Sequence, residues 1–271
     1  MDIYKQYIIQ STDEVVLALL AQYDFEAFEE QADQSIAYIS QSSWSNELDK
    51  EVRAICASRN IDIVLEDIQP QNWNAEWEKN FSPVDIHDFC TIRADFHDKP
   101  EGFTYTILLQ PKMAFGTGHH ETTFMMIDQM SQIDLANQSV LDYGCGTGIL
   151  AILAKKMKSG FTLAIDIEEE SYQNTIENAR KNDVVLDEIL CGTIEDVPAK
   201  AYDIVLANIN RHVLLTTGEQ VLKHLKKGGI LLMSGILSQD EAIVKDKYQS
   251  LGMQLLNRSQ KGNWLCLRWT H

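Results

Sequence analysis

The stretch Val140-Leu141-Asp142-Tyr143-Gly144-Cys145-Gly146-Thr147-Gly148-Ile149-Leu150-Ala151 decides how this chain is read. Its first residues make an apolar run suited to a buried strand, three glycines follow at alternate positions, and Ile149-Leu150-Ala151 begins an apolar helix. Glycine at such a turn removes the side chains that would hold a ligand off the backbone, and it accepts backbone angles that other residues resist. Asp166 follows 22 residues after Gly144 and closes the next apolar run, Phe161-Thr162-Leu163-Ala164-Ile165. A carboxylate there can accept both ribose hydroxyls of an adenosine. Each element alone also suits a plain glycine turn and a helix-capping Asp; the two in sequence point to a nucleoside site.

The spacing chooses among nucleotides. A dinucleotide fingerprint reads G-x-G-x-x-G and a phosphate loop G-x-x-x-x-G-K-[ST]. Here the glycines read G-x-G-x-G, Asp142 stands two residues ahead of the first, and the phosphate loop is absent. The Asp-x-Gly-x-Gly-x-Gly form resembles the first motif of methyltransferases that use S-adenosylmethionine, a cofactor with no pyrophosphate to cradle.

From Val140 onward, strands and helices alternate. Strands are expected over 140–143, 161–166, 203–207, 229–233 and 263–269, with a β-prone stretch near 185–190. Helices are expected from about 149, over 169–181, from about 211 to 225, and over 239–250. Such alternation implies an α/β domain with a largely parallel sheet and helices on both faces, whose ligands bind beyond the carboxyl ends of the strands at the switch point. Gly144 and Asp166 fall there. Upstream, 89–94 and 103–110 are β-prone around the turn-rich segment 97–102, and Trp73 and Trp77 share one face of a short helix over 72–77.

The first seventy residues read as βαββαβ, the ferredoxin-like order. Ile3 to Ile9 is a strand, and Ser11 or Thr12 caps a helix bearing Val15, Val16, Leu19 and Leu20. Phe25 and Phe28 mark a second strand and Ser35 to Ser40 a third. Ser45 or Asn46 opens a helix with Leu48, Val52 and Ile55, and Ile61 to Ile68 closes the set. The expected organisation is a small α+β domain over 1–70, a linker helix over 71–82 and a Rossmann-like domain over 83–271.

Net charge is −17 in 271 residues, with 16 acids against 5 bases in residues 1–80 (net −11) and 24 against 18 in the remainder (net −6). An acidic surface repels phosphate backbones, which disfavours direct nucleic-acid binding and favours a basic protein partner. It also serves simply to keep a protein soluble. No apolar run reaches the roughly 18 to 20 residues of a membrane span and no secretory signal is visible at Met1, so the expected location is the cytoplasm. Cys56, Cys90, Cys145, Cys191 and Cys266 are odd in number and form no C-x-x-C pair, which favours reduced thiols over a zinc site. His119 and His120 lack partners at metal spacing.

Two further pieces surround the glycine motif. Asp203-Ile204-Val205-Leu206-Ala207-Asn208-Ile209 is a strand whose carboxyl end presents Asn208, and Met113 to Thr123 is a second glycine loop leading into a helix and able to close over a cofactor. Together, Ala-Phe-Gly-Thr-Gly-x-His-x-Thr-Thr, Asp-x-Gly-Cys-Gly-x-Gly-Ile-Leu-Ala and Val-x-Ala-Asn-Ile resemble the bacterial methyltransferases that modify ribosomal protein eleven of the large subunit. The likeness runs over the whole chain. It implies S-adenosylmethionine as cofactor, contacts at Thr123, Gly144, Gly146, Asp166 and Asn208, a small domain that recognises the substrate protein, and trimethylation of its terminal amine and lysine side chains. His119 and Glu121 depart from the Thr and Pro expected in the first loop, and Asn210-Arg211-His212 replaces small residues.

A sulfonium methyl donor requires a neutral amine, held about 3 Å from the methyl carbon. At pH 7 a terminal amine loses only about 1 to 1.4 kcal/mol to protonation, whereas a lysine loses about 4.6. The site must lower the lysine pKa by desolvation or capture its rare neutral form. Asn208 is the residue expected to orient the amine through its side-chain oxygen, with water taking the proton, because no general base stands out. Asn is also a common turn and cap residue. Methylation of another protein, a small molecule or RNA, cofactor binding without turnover, and a nicotinamide dehydrogenase remain the alternatives.

Overall fold

A computed structural model describes residues 4–20, 23–25, 27–30, 33–68, 82–98, 101–109 and 120–271. The chain divides into two compact units, residues 1–76 and 77–271. The expected Trp helix over 72–77 and the glycine loop up to His119 lie outside the described residues.

In the first unit, β1 (Tyr4–Ile9), α1 (Glu14–Leu20), β2 (Ala27–Glu30), β3 (Ser35–Ser40), α2 (Asn46–Ala57) and β4 (Ile63–Ile68) follow the βαββαβ order. The strands form one antiparallel sheet in the order β2-β3-β1-β4, the ferredoxin-like arrangement. Alternate strand residues Tyr7, Ile9, Ala37 and Ile39 meet Val16, Leu20, Val52 and Cys56 of the helices in a closed apolar core. Ser45 caps α2 by accepting the Leu48 N–H at 3.1 Å. Two expectations shift. Phe25 precedes β2 and packs edge-on against Tyr7 instead, and Ile61 falls before β4 because Asn60, at φ +56°, turns the chain out of α2.

The second unit opens with a small sheet of β5 (Val84–Ile86), β6 (Cys90–Arg93) and β7 (Tyr105–Leu108), in which β6 and β7 run parallel. Next come α3 (Glu121–Met130), β8 (Ser139–Tyr143), α4 (Ile149–Lys156), β9 (Phe161–Asp166), α5 (Glu169–Lys181), β10 (Glu188–Cys191), β11 (Tyr202–Asn208), α6 (Arg211–Lys223), β12 (Leu225–Leu237), α7 (Glu241–Ser250), β13 (Gln254–Lys261) and β14 (Trp264–Thr270). The last seven strands form one sheet in the order β10-β9-β8-β11-β12-β14-β13, with β14 antiparallel to both neighbours. From β8 the chain winds outward to β10, then returns beside β8 as β11. That makes the β8/β11 pair the switch point.

Burial on both faces explains the apolar runs. Val140, Ala164, Leu206 and Leu232 face one core with α4 and part of α3, while Leu141, Leu163, Val205 and Leu231 face the other with α6 and α7. Three expectations are corrected here. The strand expected near 185–190 is displaced to 188–191, because Asp183 at φ +53° turns the chain and Val185 is 84 % exposed. Strand β12 runs well beyond 229–233: it pairs with β11 at Leu225 and again from Ile230 to Ser234, and with β14 out to Leu237. Strand β13 was not expected: its polar sequence lies at the sheet edge, and pairing with β14 alone makes it a strand.

Candidate functional site

Beyond the end of β8 the backbone turns through Gly144, Gly146 and Gly148 at φ +73°, +55° and +75°. L side chains resist this left-handed region. Space is also short: a Cβ on Gly144 would stand 2.2 Å from Ile209 Cγ2. Gly148 is the N-cap of α4 and has no side chain to offer. Asp142, fully buried in β8, takes that part by accepting the Ala151 N–H through Oδ2 at 3.0 Å. Burial pushes its carboxyl up to about 7, against the opposing pull of that hydrogen bond.

Asp166 ends β9 beside this loop. Its Oδ2 accepts the Gly146 N–H at 2.8 Å and its Oδ1 the Glu168 N–H at 3.1 Å. An ionised carboxylate has about four acceptor positions, so about two remain for other donors, one on each oxygen. The spacing of two vicinal hydroxyls suits that pair.

Across the switch point, β11 delivers Asn208. The side chain is 9 % exposed, its Nδ2 donates to Thr123 Oγ1 at 3.3 Å, and its Oδ1 has no hydrogen-bond partner among the described residues. The next residue, Ile209, is gripped from both sides. Its side chain occupies the space over Gly144, and its carbonyl oxygen lies 2.1 Å from where a Gly235 Cβ would be. Gly235, at φ +85°, sits where β12 slips register against β14.

These elements enclose a cavity of about 520 Å³ lined by Gly144, Gly146, Asp166 and Asn208 together with Ile167, Glu168, Thr193, His120 and Trp264. Four of the five expected site residues therefore share one cavity. Thr123 is placed differently: it is fully buried in α3 and touches Asn208. His120 and Trp264, to which sequence reasoning assigned no role, form an edge-to-face pair at 4.7 Å on the cavity wall. His120 also caps α3, its Nδ1 accepting the Thr122 N–H. Gly235 carried a signal, an isolated glycine inside a strand; Trp264 in the last strand carried none.

Three of the residues that depart from the expected pattern have local structural roles, and His119 lies outside the described residues. Asn210 caps α6 by accepting the Val213 N–H at 3.0 Å, Arg211 pairs with Asp240, and Glu121 stands in the first turn of α3, where the helix dipole favours an acid. Cys145, Cys191 and the other cysteines are unpaired thiols, and burial holds Cys145 well above the ordinary thiol range.

The cavity fits S-adenosylmethionine on two observations. Asp166 has acceptor positions left over, and Asn208 Oδ1 is buried without a donor. Asp166 and Glu168 also make the wall acidic, which suits a cofactor bearing both a sulfonium and an ammonium.

Sheet order and cavity position define a Rossmann-like methyltransferase. Comparison with known proteins is more specific: the profile of the family described as Ribosomal protein L11 methyltransferase (PrmA) matches residues 6–271, and the chain belongs to that family. It is 37 % identical over 264 residues to the ribosomal protein L11 methyltransferase of Phocaeicola vulgatus, covering 96 % of this chain and 94 % of that protein. The protein of the same name from Porphyromonas gingivalis is 37 % identical over 271 residues, covering 97 % and 92 %. Among solved structures, the ribosomal protein L11 methylase from Lactobacillus delbrueckii subsp. bulgaricus superposes with a TM-score of 0.66 at 26 % identity, covering 70 % of this chain and 98 % of that one.

Proposed function

We propose that this chain transfers methyl groups from S-adenosylmethionine to the terminal amine and lysine side chains of ribosomal protein L11. In this reading Gly144, Gly146, Asp166 and Asn208 hold the cofactor, and Thr123 acts through its hydrogen bond to Asn208. When bound, the cofactor supplies a methyl group activated on a sulfonium. The chain's part is to desolvate and aim the amine. Asn208 Oδ1 can accept a hydrogen bond from a neutral amine without adding charge, and the Thr123 contact to Nδ2 keeps that oxygen directed away from Thr123. Water carries off the proton.

The observation that carries this proposal is the unpartnered Oδ1 of Asn208 on the wall of the glycine-lined cavity. Asn208→Ala is therefore expected to cut the single-turnover rate at saturating cofactor far more than it lowers thermal stability. A rate equal to wild type would remove the orienting role. Mass spectrometry of L11 treated with the wild-type enzyme identifies the amines modified.

The proposal extends to the division of labour: 1–70 recognises substrate, 71–82 links, and 83–271 catalyses. The small unit's excess of acids over bases suits a basic ribosomal protein met free in the cytoplasm, before RNA covers it. No helix among the described residues is long and apolar enough to cross a membrane. Deleting residues 1–70 should leave cofactor binding intact and abolish efficient methylation of free L11, and added salt should slow the full-length enzyme. Full-rate methylation by the truncated chain would refute the recognition role.

A further inference from the structure

Helix α5 buries polar residues where a packing helix buries apolar ones. Asn174, Thr175 and Asn178 are 3 %, 0 % and 2 % exposed. Buried amides and hydroxyls cost free energy unless partnered, and the partners of two of these residues are backbone atoms of the glycine loop. Thr175 Oγ1 donates to the Gly146 carbonyl at 3.1 Å, and Asn178 Nδ2 donates to the Thr147 carbonyl at 2.9 Å. Residues three apart share a helix face, so α5 takes hold of two successive carbonyls from one side. From the other side of the same residue, the Gly146 N–H donates to Asp166 Oδ2. Thr175 also closes the space over Gly148, where a Cβ would stand 2.8 Å from its Cγ2.

We propose that Thr175 and Asn178 are positioning residues for the cofactor, a latch that sets the peptide planes of the glycine loop before the ligand arrives. A loop with glycines at 144, 146 and 148 has more backbone freedom than one with side chains at those positions, and ordering it on binding would weaken affinity. Holding the Gly146 and Thr147 carbonyls on the α5 side moves that ordering cost from binding to folding. The same segment that carries Asp166 therefore also shapes the loop facing it. This inference rests on the reading of the cavity as an S-adenosylmethionine site.

The test uses the full chain and S-adenosylhomocysteine as probe. In calorimetry, Thr175→Val, which keeps the shape and removes the donor, should weaken binding roughly five- to twentyfold, and Thr175→Ser should stay within about twofold of wild type. Hydrogen exchange without ligand should quicken at residues 146–148 in the valine variant while the core of the sheet is unchanged. Wild-type affinity in Thr175→Val, equal losses in the serine and valine variants, or unchanged exchange in the loop would each overturn the latch. A merely structural role would lower thermal stability and speed exchange throughout, with affinity kept. Should Thr175→Val not fold, Asn178→Ser, too short to reach the Thr147 carbonyl, gives the same reading. Absence of binding by the wild-type chain would instead refute the cofactor reading, and the exchange comparison would still decide whether α5 holds the loop.

Discussion

Helices α4 and α5 flank the same glycine loop and are built from opposite materials. In α4, six consecutive residues from Ile149 to Ala154 are buried and all are apolar; in α5 the buried positions are Asn174, Thr175, Asn178 and Ala179. Apolar burial is strong and non-directional, so α4 anchors the loop's exit to the core without specifying its peptide planes. Hydrogen bonds add about 0.5–1.5 kcal/mol each but fix direction, so α5 contributes geometry where α4 contributes stability. The loop needs both, because glycine supplies neither.

The largest effect should come from emptying the apolar side. Leu153→Ala removes a fully buried side chain and should cost about 2–5 kcal/mol in urea unfolding, with cofactor affinity of the folded protein kept. Affinity falling in step with stability would mean that α4 also sets the loop. Gly144→Ala comes next. Its Cβ would collide with Ile209 in a left-handed backbone, and affinity for S-adenosylhomocysteine should drop roughly a hundredfold, about 2.7 kcal/mol. Normal affinity in calorimetry would show that Ile209 yields.

Asp166→Ala should weaken cofactor binding by about 1.5–3 kcal/mol, the range for hydrogen bonds to charged groups. Because Asp166 also accepts the Gly146 N–H, exchange in the loop should quicken as well; an unchanged dissociation constant would dismiss the ribose assignment. The most gradual effect, a slope spread over about three pH units, concerns Asp142, which ties β8 to α4. Its folded pKa, raised by burial to about 7 from an ordinary 3.8, means that the native state holds a proton the unfolded state has released. This contribution to stability is complete below about pH 4 and is lost as pH rises toward 7, at no more than about 1.4 kcal/mol per pH unit. Asp142→Asn should remove that part of the slope, and parallel wild-type and variant profiles would contradict it.

Where one residue's chemistry constrains its own neighbourhood, the sequence was legible. Glycines at alternate positions after an apolar run specified the turn, the Ser45-Asn46 pair marked the start of α2, where Ser45 is the cap, and the 169–181 pattern matched α5 residue for residue. The candidate site was legible through the ends of strands, as at Asp166 and Asn208. The edge strand β13 was not, because its backbone pairing leaves a polar sequence with no apolar alternation to follow.

By itself, then, the sequence determined the order of elements in both units, the largely parallel sheet, the glycine turn and the acid and amide at strand ends, since each is written in local periodicity and backbone preference. Only the tertiary structure decided which distant residues share the cavity. Ile209 is clasped by Gly144 and Gly235 because β8, β11 and β12 pair side by side, and His120 meets Trp264 across 144 positions of chain. Thr123 stands behind Asn208 and not on the cavity wall because α3 is packed against the sheet, and Thr175 reaches Gly146 because α5 folds back over the loop. Such contacts depend on how elements pack in three dimensions, and no spacing along the chain encodes them.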